Sequence, residues 1–256
     1  MNRFEGKVAL VTGASEGIGR ATAQRLAAEG AHVMICARRP DKLAEAEQSI
    51  RAAGGSVESR VLDVSDADAF AAAIAELAER RGRLDMLVNN AMSVHYGPLL
   101  DAKLEHWRKD FAVNSDAVFI GTREAMRVMV PQGSGAIVNI SSTTGLRAMP
   151  GMASYSASKA ALIHFTAVAA MEAAPHNVRV NAIVPGQVAT PATLAFEKMA
   201  PEKSDATTAA IPMKRSGEPA ELAAAITFLL SDDASYITGI ALPVDGGKSV
   251  QLYMPD

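Results

Sequence analysis

Cys36 is the only cysteine among 256 residues, so no intramolecular disulfide can form, and the chain reads as the product of a reducing compartment, the cytoplasm. Aromatic residues are scarce at 5%. No apolar run approaches the ~18 residues of a membrane-spanning helix, because Lys, Arg, Glu, Asn or Gly interrupts each one. The opening stretch, Met1-Asn2-Arg3-Phe4-Glu5-Gly6-Lys7, carries no apolar signal core. Neither sign of charge prevails: 25 Lys and Arg face 28 Asp and Glu, the net charge is -3, and no basic run is longer than a pair such as Arg38-Arg39 or Arg80-Arg81. Without a basic field, neither nucleic acid nor a membrane surface is expected as a partner. The five histidines lack metal-ligand spacing, and no metal site is expected.

What is present in quantity is alanine, within a hydrophobic share of 49%. Short apolar runs at 7–12, 32–37, 56–61, 86–89, 136–140, 179–183 and 240–244 alternate with Ala-rich amphipathic stretches at 19–29, 41–53, 66–81, 104–130, 154–173 and 219–230. Strand-length apolar runs suit strands covered on both faces, and the stretches between suit crossover helices. The pattern predicts a single α/β domain over 1–256, a Rossmann-type doubly wound parallel sheet flanked by helices on both faces. Residues 185–212, rich in Pro, Ala and Thr, form the least regular stretch. Either they belong to a flap of about 187–213 over a site, or they form a variable surface loop.

The first predicted strand runs into Thr12-Gly13-Ala14-Ser15-Glu16-Gly17-Ile18-Gly19. Glycines at the carboxyl end of a parallel strand permit a tight turn and close backbone approach to a pyrophosphate, which the following helix N-terminus stabilises. This placement points to dinucleotide binding by Gly13, Ser15, Glu16, Gly17, Ile18 and Gly19.

The spacing Gly-x-x-x-Gly-x-Gly resembles that of the classical short-chain dehydrogenase/reductase family, and the likeness extends over essentially the whole chain. Many NAD-preferring members end strand two on an acidic residue, where this sequence has Ala37 followed by Arg38 and Arg39. A guanidinium can bind a 2'-phosphate that a carboxylate would repel, so NADP(H) is favoured, with NAD(H) as the alternative. The competing reading makes both arginines solvated turn residues. Glu16 weighs against NADP(H), since some NADP-preferring members carry a base there. The resemblance further implies adenine contacts from Asp63 and Val64, a cofactor lining from Asn90 and Ala91, and nicotinamide-end contacts from Pro185, Gly186, Val188 and Thr190. Met92 stands where the family has glycine.

Tyr155 and Lys159 lie four apart on a predicted helix and share a face. Ser142 precedes Tyr155 by thirteen positions, as the family's catalytic serine does, and Asn114 matches the fourth member of its tetrad. Ketone reduction needs a hydride at carbon and a proton at oxygen, and a nicotinamide brings only the hydride. Tyr155 is the expected proton donor, its pKa lowered by Lys159 and by the oxidised nicotinamide. Ser142 is expected to hydrogen-bond the substrate oxygen. The resemblance implies that Lys159 also holds the nicotinamide ribose and that Asn114 holds a water relaying protons. Substrate contacts are expected from His95, Thr144, Met149, Gln187 and Phe196. With Met152 and Met199 they suggest a hydrophobic or cyclic ketone and its secondary alcohol, although each Met equally fills a core gap. A 3-oxoacyl-[acyl-carrier-protein] reductase is the rival enzyme reading, and a dinucleotide-sensing regulator the non-enzyme one. The family also implies a homotetramer or homodimer packed through 104–130 and 154–173.

Overall fold

A computed structural model describes residues 2–199 and 201–251, apart from the side chains of Phe196 and Lys203. Seven parallel strands, β1 (Val8–Thr12), β2 (His32–Ala37), β3 (Ser56–Val61), β4 (Met86–Asn89), β5 (Gly135–Ile140), β6 (Val178–Pro185) and β7 (Ala241–Val244), form one sheet in the order β3-β2-β1-β4-β5-β6-β7. Central strands such as β1 are buried at every position, so their side chains are apolar on both faces. At the edge, β3 alternates: Val57 is buried while Ser56, Arg60 and its neighbours are polar or open.

Helices α1 (Gly17–Ala28), α2 (Pro40–Ala52) and α9 (Pro219–Leu230) cover one face. There Ala23, Leu26, Leu43, Ile50, Leu222 and Ile226 pack on Val11, Ile35 and Val138. On the other face, α3 (Ala67–Arg81), α5 (Ala117–Gln132) and α6 (Ala153–Ala173) bring Phe70, Leu77, Ala125 and Ala169 against Leu10, Met34 and Val180. Small alanines let these helices approach the sheet closely. Asp66 caps α3 by accepting from Ala69 N at 3.0 Å, and Pro40 and Pro219 occupy first helical positions.

The strand order reverses between β1 and β4, which opens a crevice at the carboxyl ends of those strands. Two departures from the sequence reading occur beside it. The stretch 104–130 is not one regular helix. It consists of α4 (Leu104–Phe111), a π-helical turn (Ala112–Asp116) and α5. The stretch expected to be irregular instead holds α7 (Pro191–Met199) and α8 (Pro201–Ala209), each opened by its own proline and each containing Ala, Glu and Lys. Among the described residues, no helix is long and apolar enough to cross a membrane.

Candidate active site

A cleft of about 700 Å3 lies at the switch point, lined by Gly13, Ser15, Glu16, Gly17, Ile18, Arg38, Arg39, Asp63, Val64, Asn90, Ala91, Met92 and Thr190. Its floor requires glycine. Gly13 has φ +63°, and a Cβ there would sit 2.8 Å from Ala91 Cα. A Cβ on Gly19 would sit 2.5 Å from Asn90 Nδ2. Asn90 is held by the same turn, donating from Nδ2 to Thr12 O at 2.9 Å and Gly13 O at 3.1 Å, while Thr12 Oγ1 accepts from Asn90 N and Ala91 N. α1 therefore opens onto a turn whose Gly13 and Gly19 carry no side chain, which fits a pyrophosphate at the helix N-terminus. Met92 keeps an ordinary negative φ, so the path there does not depend on glycine.

Arg38 and Arg39 are both on the cleft, yet neither is free of carboxylates. Arg39 pairs with Glu16 at 2.8 Å, and Arg38 lies 3.8 Å from Asp63. Of the residues expected at the nicotinamide end, three lie at the end of β6 or after it, beyond the part of the cleft whose lining is given above. Pro185 ends β6, Gly186 packs where a Cβ would meet Asp245 at 2.8 Å, and Val188 is buried beside its bridge to Gly217. Only Thr190 of that group reaches it.

Past β5, Ser142 caps a short 3-10 turn, and its Oγ accepts from Thr144 N at 3.2 Å and Thr144 Oγ1 at 3.1 Å. Thr144, expected in the substrate pocket, is thereby placed directly beside Ser142. The first turns of α6 bury Tyr155 and Lys159, whose Nζ donates to Ile140 O at 2.7 Å and lies 5.7 Å from the Tyr155 ring centroid. Ser141, the neighbouring hydroxyl, is committed to Lys159 O at 3.0 Å. In the π-turn, Asn114 donates to Ser93 O at 2.8 Å and Ser158 Oγ at 3.0 Å and accepts from Ser93 N.

The electrostatics correct one expectation. Burial pushes the Tyr155 hydroxyl up to about 12, opposed by its hydrogen bond with Ser142. Burial likewise pushes the Lys159 ammonium down to about 7, so desolvation outweighs the lowering of Tyr155 expected from that lysine.

Among the expected substrate residues, His95 turns away from a simple solvent role. Its Nδ1 lies 2.7 Å from Asp110 Oδ1, and its ring stacks on His106 at 4.1 Å. Gln187 Nε2 is taken up within the flap by Thr208 and Ser216, each at 3.1 Å. Met149 is half exposed on a loop tied to that of Tyr96 by Gly97 N donating to Gly151 O at 3.0 Å. The Phe196 side chain lies outside the described residues. Sequence reasoning missed Ser93, Asp110, Ser154 and Ser158. Only a carboxylate inside a helix beside the aromatic stripe Trp107 and Phe111 hinted at Asp110. No group of three or more His, Cys, Asp or Glu suited to a metal occurs among the described residues.

Fold and cleft together define a dinucleotide-binding α/β protein. A family profile described as enoyl-(acyl carrier protein) reductase matches residues 13–249. The 2,5-dichloro-2,5-cyclohexadiene-1,4-diol dehydrogenase LinX of Sphingobium indicum is 43% identical over 97% of this chain and 98% of its own length. Among solved structures, NAD+-bound xylitol dehydrogenase superposes with a TM-score of 0.90 at 34% identity, covering 95% of this chain and 99% of that one. A variant of actinorhodin polyketide ketoreductase with NADPH gives 0.91 at 35% identity, covering 95% and 97%. The chain belongs to the classical short-chain dehydrogenase/reductase family. It is an NAD(P)-dependent oxidoreductase acting on CH–OH groups.

Proposed function

We propose that this enzyme is one domain that interconverts a hydrophobic or cyclic ketone and its secondary alcohol with a preference for NADP(H), using Tyr155 as general acid and base. The observation that carries the reading is the buried set of Ser142, just past β5, with Tyr155 and Lys159 on α6, two strands from the glycine cradle after β1. The bound cofactor supplies the hydride and, when oxidised, a positive charge beside the phenol. Tyr155 gives its proton to the developing alkoxide in reduction and takes it back in oxidation. Ser142 Oγ–H donates to the same oxygen, a bond that strengthens as charge grows there. Lys159, its Nζ 5.7 Å from the Tyr155 ring centroid, orients the ribose, and Asn114 fixes the turn beside it. Gly13, Ser15, Gly17, Ile18, Gly19, Asp63, Val64, Asn90, Ala91 and Thr190 enclose the cofactor.

Two features support NADP(H): β2 ends on Ala37 with no carboxylate, and Arg38 lines the cleft with 60% of its side chain exposed. Arg39, already paired with Glu16, is the lesser contributor. An apolar substrate is supported by the exposed Met92, Tyr96, Met149 and Met213, and by LinX, whose name specifies a cyclic diol. The description of the family profile keeps a carrier-bound acyl substrate as the second reading. Exposed Phe119, Val168 and Met171 on α5 and α6 support assembly into a homotetramer or homodimer, which sedimentation velocity reads directly; a monomer at micromolar concentration would refute it.

One assay tests the rest: oxidation of NADPH and NADH against cyclic, steroid-like and acyl-thioester ketones. Tyr155→Phe is expected to lower kcat at least about 100-fold, and Arg38→Ala to lower kcat/KM for NADPH about tenfold while sparing NADH. Full turnover by the phenylalanine variant would sink the acid role. Equal use of both cofactors by the wild type would sink the preference, and no turnover on any ketone would favour a dinucleotide sensor.

A further inference from the structure

Asp110 closes α4 as its one buried residue, with no measurable exposure, although Asp is among the residues least often buried whole. Polar groups from two other segments converge on it. Oδ1 accepts from Ser93 Oγ at 2.9 Å and His95 Nδ1 at 2.7 Å. Oδ2 accepts from Ser154 Oγ at 2.6 Å and His95 N at 3.3 Å. These four contacts match the acceptor capacity of an ionised carboxylate. Ser154 immediately precedes Tyr155, and Ser93 is gripped a second time through its backbone by Asn114 of the π-turn. The carboxylate thus ties the loop at 93–95 and the first turn of α6 to α4.

Lys159 presents the complementary problem. It is 2% exposed, and among the described residues no carboxylate lies within ion-pair distance of its Nζ. A buried ammonium without an opposite charge is costly. Asp110 is the negative charge that acts on it through space.

We infer that Asp110 is a positioning residue of this active site, fixing Tyr155 and the loop at 93–95 in register and supplying the negative charge that balances the Lys159 ammonium. The inference rests on the acid–base reading of Tyr155 and Lys159. The charged and titratable groups around it are His95 on the loop, His106 stacked on that ring, Tyr155 and Lys159 on α6, and Tyr96, which acts on Tyr155. A negative charge raises the pKa of every group near it, whether phenol or ammonium, so removing it moves both in the same direction.

The test is the pH profile of kcat/KM for alcohol oxidation in wild type and Asp110→Asn, using the alcohol of the panel turned over fastest. Asn keeps the shape, loses the charge and sets an NH2 against donors. Both limbs of the profile are expected to move to lower pH by about half a unit or more, together with a lower maximum. Limbs that coincide with wild type under a reduced maximum would leave Asp110 a purely structural residue and overturn the inference. If Asp110→Asn does not fold, Ser154→Ala keeps the charge and removes the 2.6 Å anchor. It is expected to lower kcat severalfold with the limbs in place, and an unchanged kcat would overturn the positioning role. Turnover retained by Tyr155→Phe marks failure of the underlying reading; loss of turnover there with unmoved limbs in Asp110→Asn marks failure of this one alone.

Discussion

Lys159 is held where its own stability argues against it. Its stem and ammonium are buried, with Ile140 O as the hydrogen-bond acceptor, and burial lowers its pKa to about 7. A residue kept at such a cost is kept for chemistry. Lys159→Met fills the same channel without the amine, and it is expected to be inactive yet to melt a few degrees higher near pH 7, the gain from removing a desolvated charge exceeding the orphaned carbonyl. Calorimetry of the two proteins without cofactor checks this, and a lower Tm in the variant would mean that the Ile140 bond outweighs desolvation. Cys36 is the opposite case: burial raises its thiol to about 12, so it behaves as a small apolar side chain in β2.

At the scale of elements, close approach explains the alanines and glycines better than propensity does. Gly121 lies in the middle of α5, where an Ala would favour the helix by about 1 kcal/mol. Its missing Cβ, however, would stand 2.6 Å from Asn89 Oδ1 and 2.8 Å from a Phe70 ring carbon, which is where α5 meets β4 and α3. Gly121→Ala is therefore expected to destabilise by about 1–3 kcal/mol, read as a lower urea midpoint at constant m. A raised midpoint would show that α3 yields. The π-turn at Ala112–Asp116 carries Asn114, which bonds Ser93 through its backbone while Asp110, one turn earlier in α4, bonds the Ser93 hydroxyl. Periodicity over 104–130 could not reveal it, because one widened turn barely disturbs an apolar stripe. The flap was misread as irregular for a different reason: Pro191 and Pro201 look like breaks in a sequence and serve as helix starts in the fold.

For the molecule as a whole, the buried site leaves a signature in stability against pH. The folded Lys159 releases its proton near 7, while the unfolded side chain keeps it to about 10.5. Between those values the unfolded chain binds more protons, so this group makes stability rise with pH. Tyr155 and Cys36 act the other way, retaining protons when folded up to about 12 against model values of 10.0 and 9.0. The window free of them is pH 7 to 9. Across it the melting temperature of the wild type is expected to gain on that of Lys159→Met, narrowing the gap found at neutral pH. A gap that stays constant or widens would mean that the lysine is not desolvated as the structure has it.

Local pattern determined the seven strands, the parallel sheet with helices on both faces and the glycine-rich turn after β1, while the spacing of Ser142, Tyr155 and Lys159 gained its meaning from the family resemblance. Each of these is written in contiguous periodicity or fixed spacing, which survives without knowledge of distant neighbours. Tertiary structure alone decided which carboxylates meet Arg38 and Arg39, that Gln187 braces the flap, and that burial sets the ionisation of Tyr155 and Lys159. It also gathered Ser93, His95, Asp110 and Ser154 from segments up to 61 positions apart in the numbering. Desolvation and hydrogen-bond partnership depend on what surrounds a group in space, and a sequence records only what surrounds it along the chain.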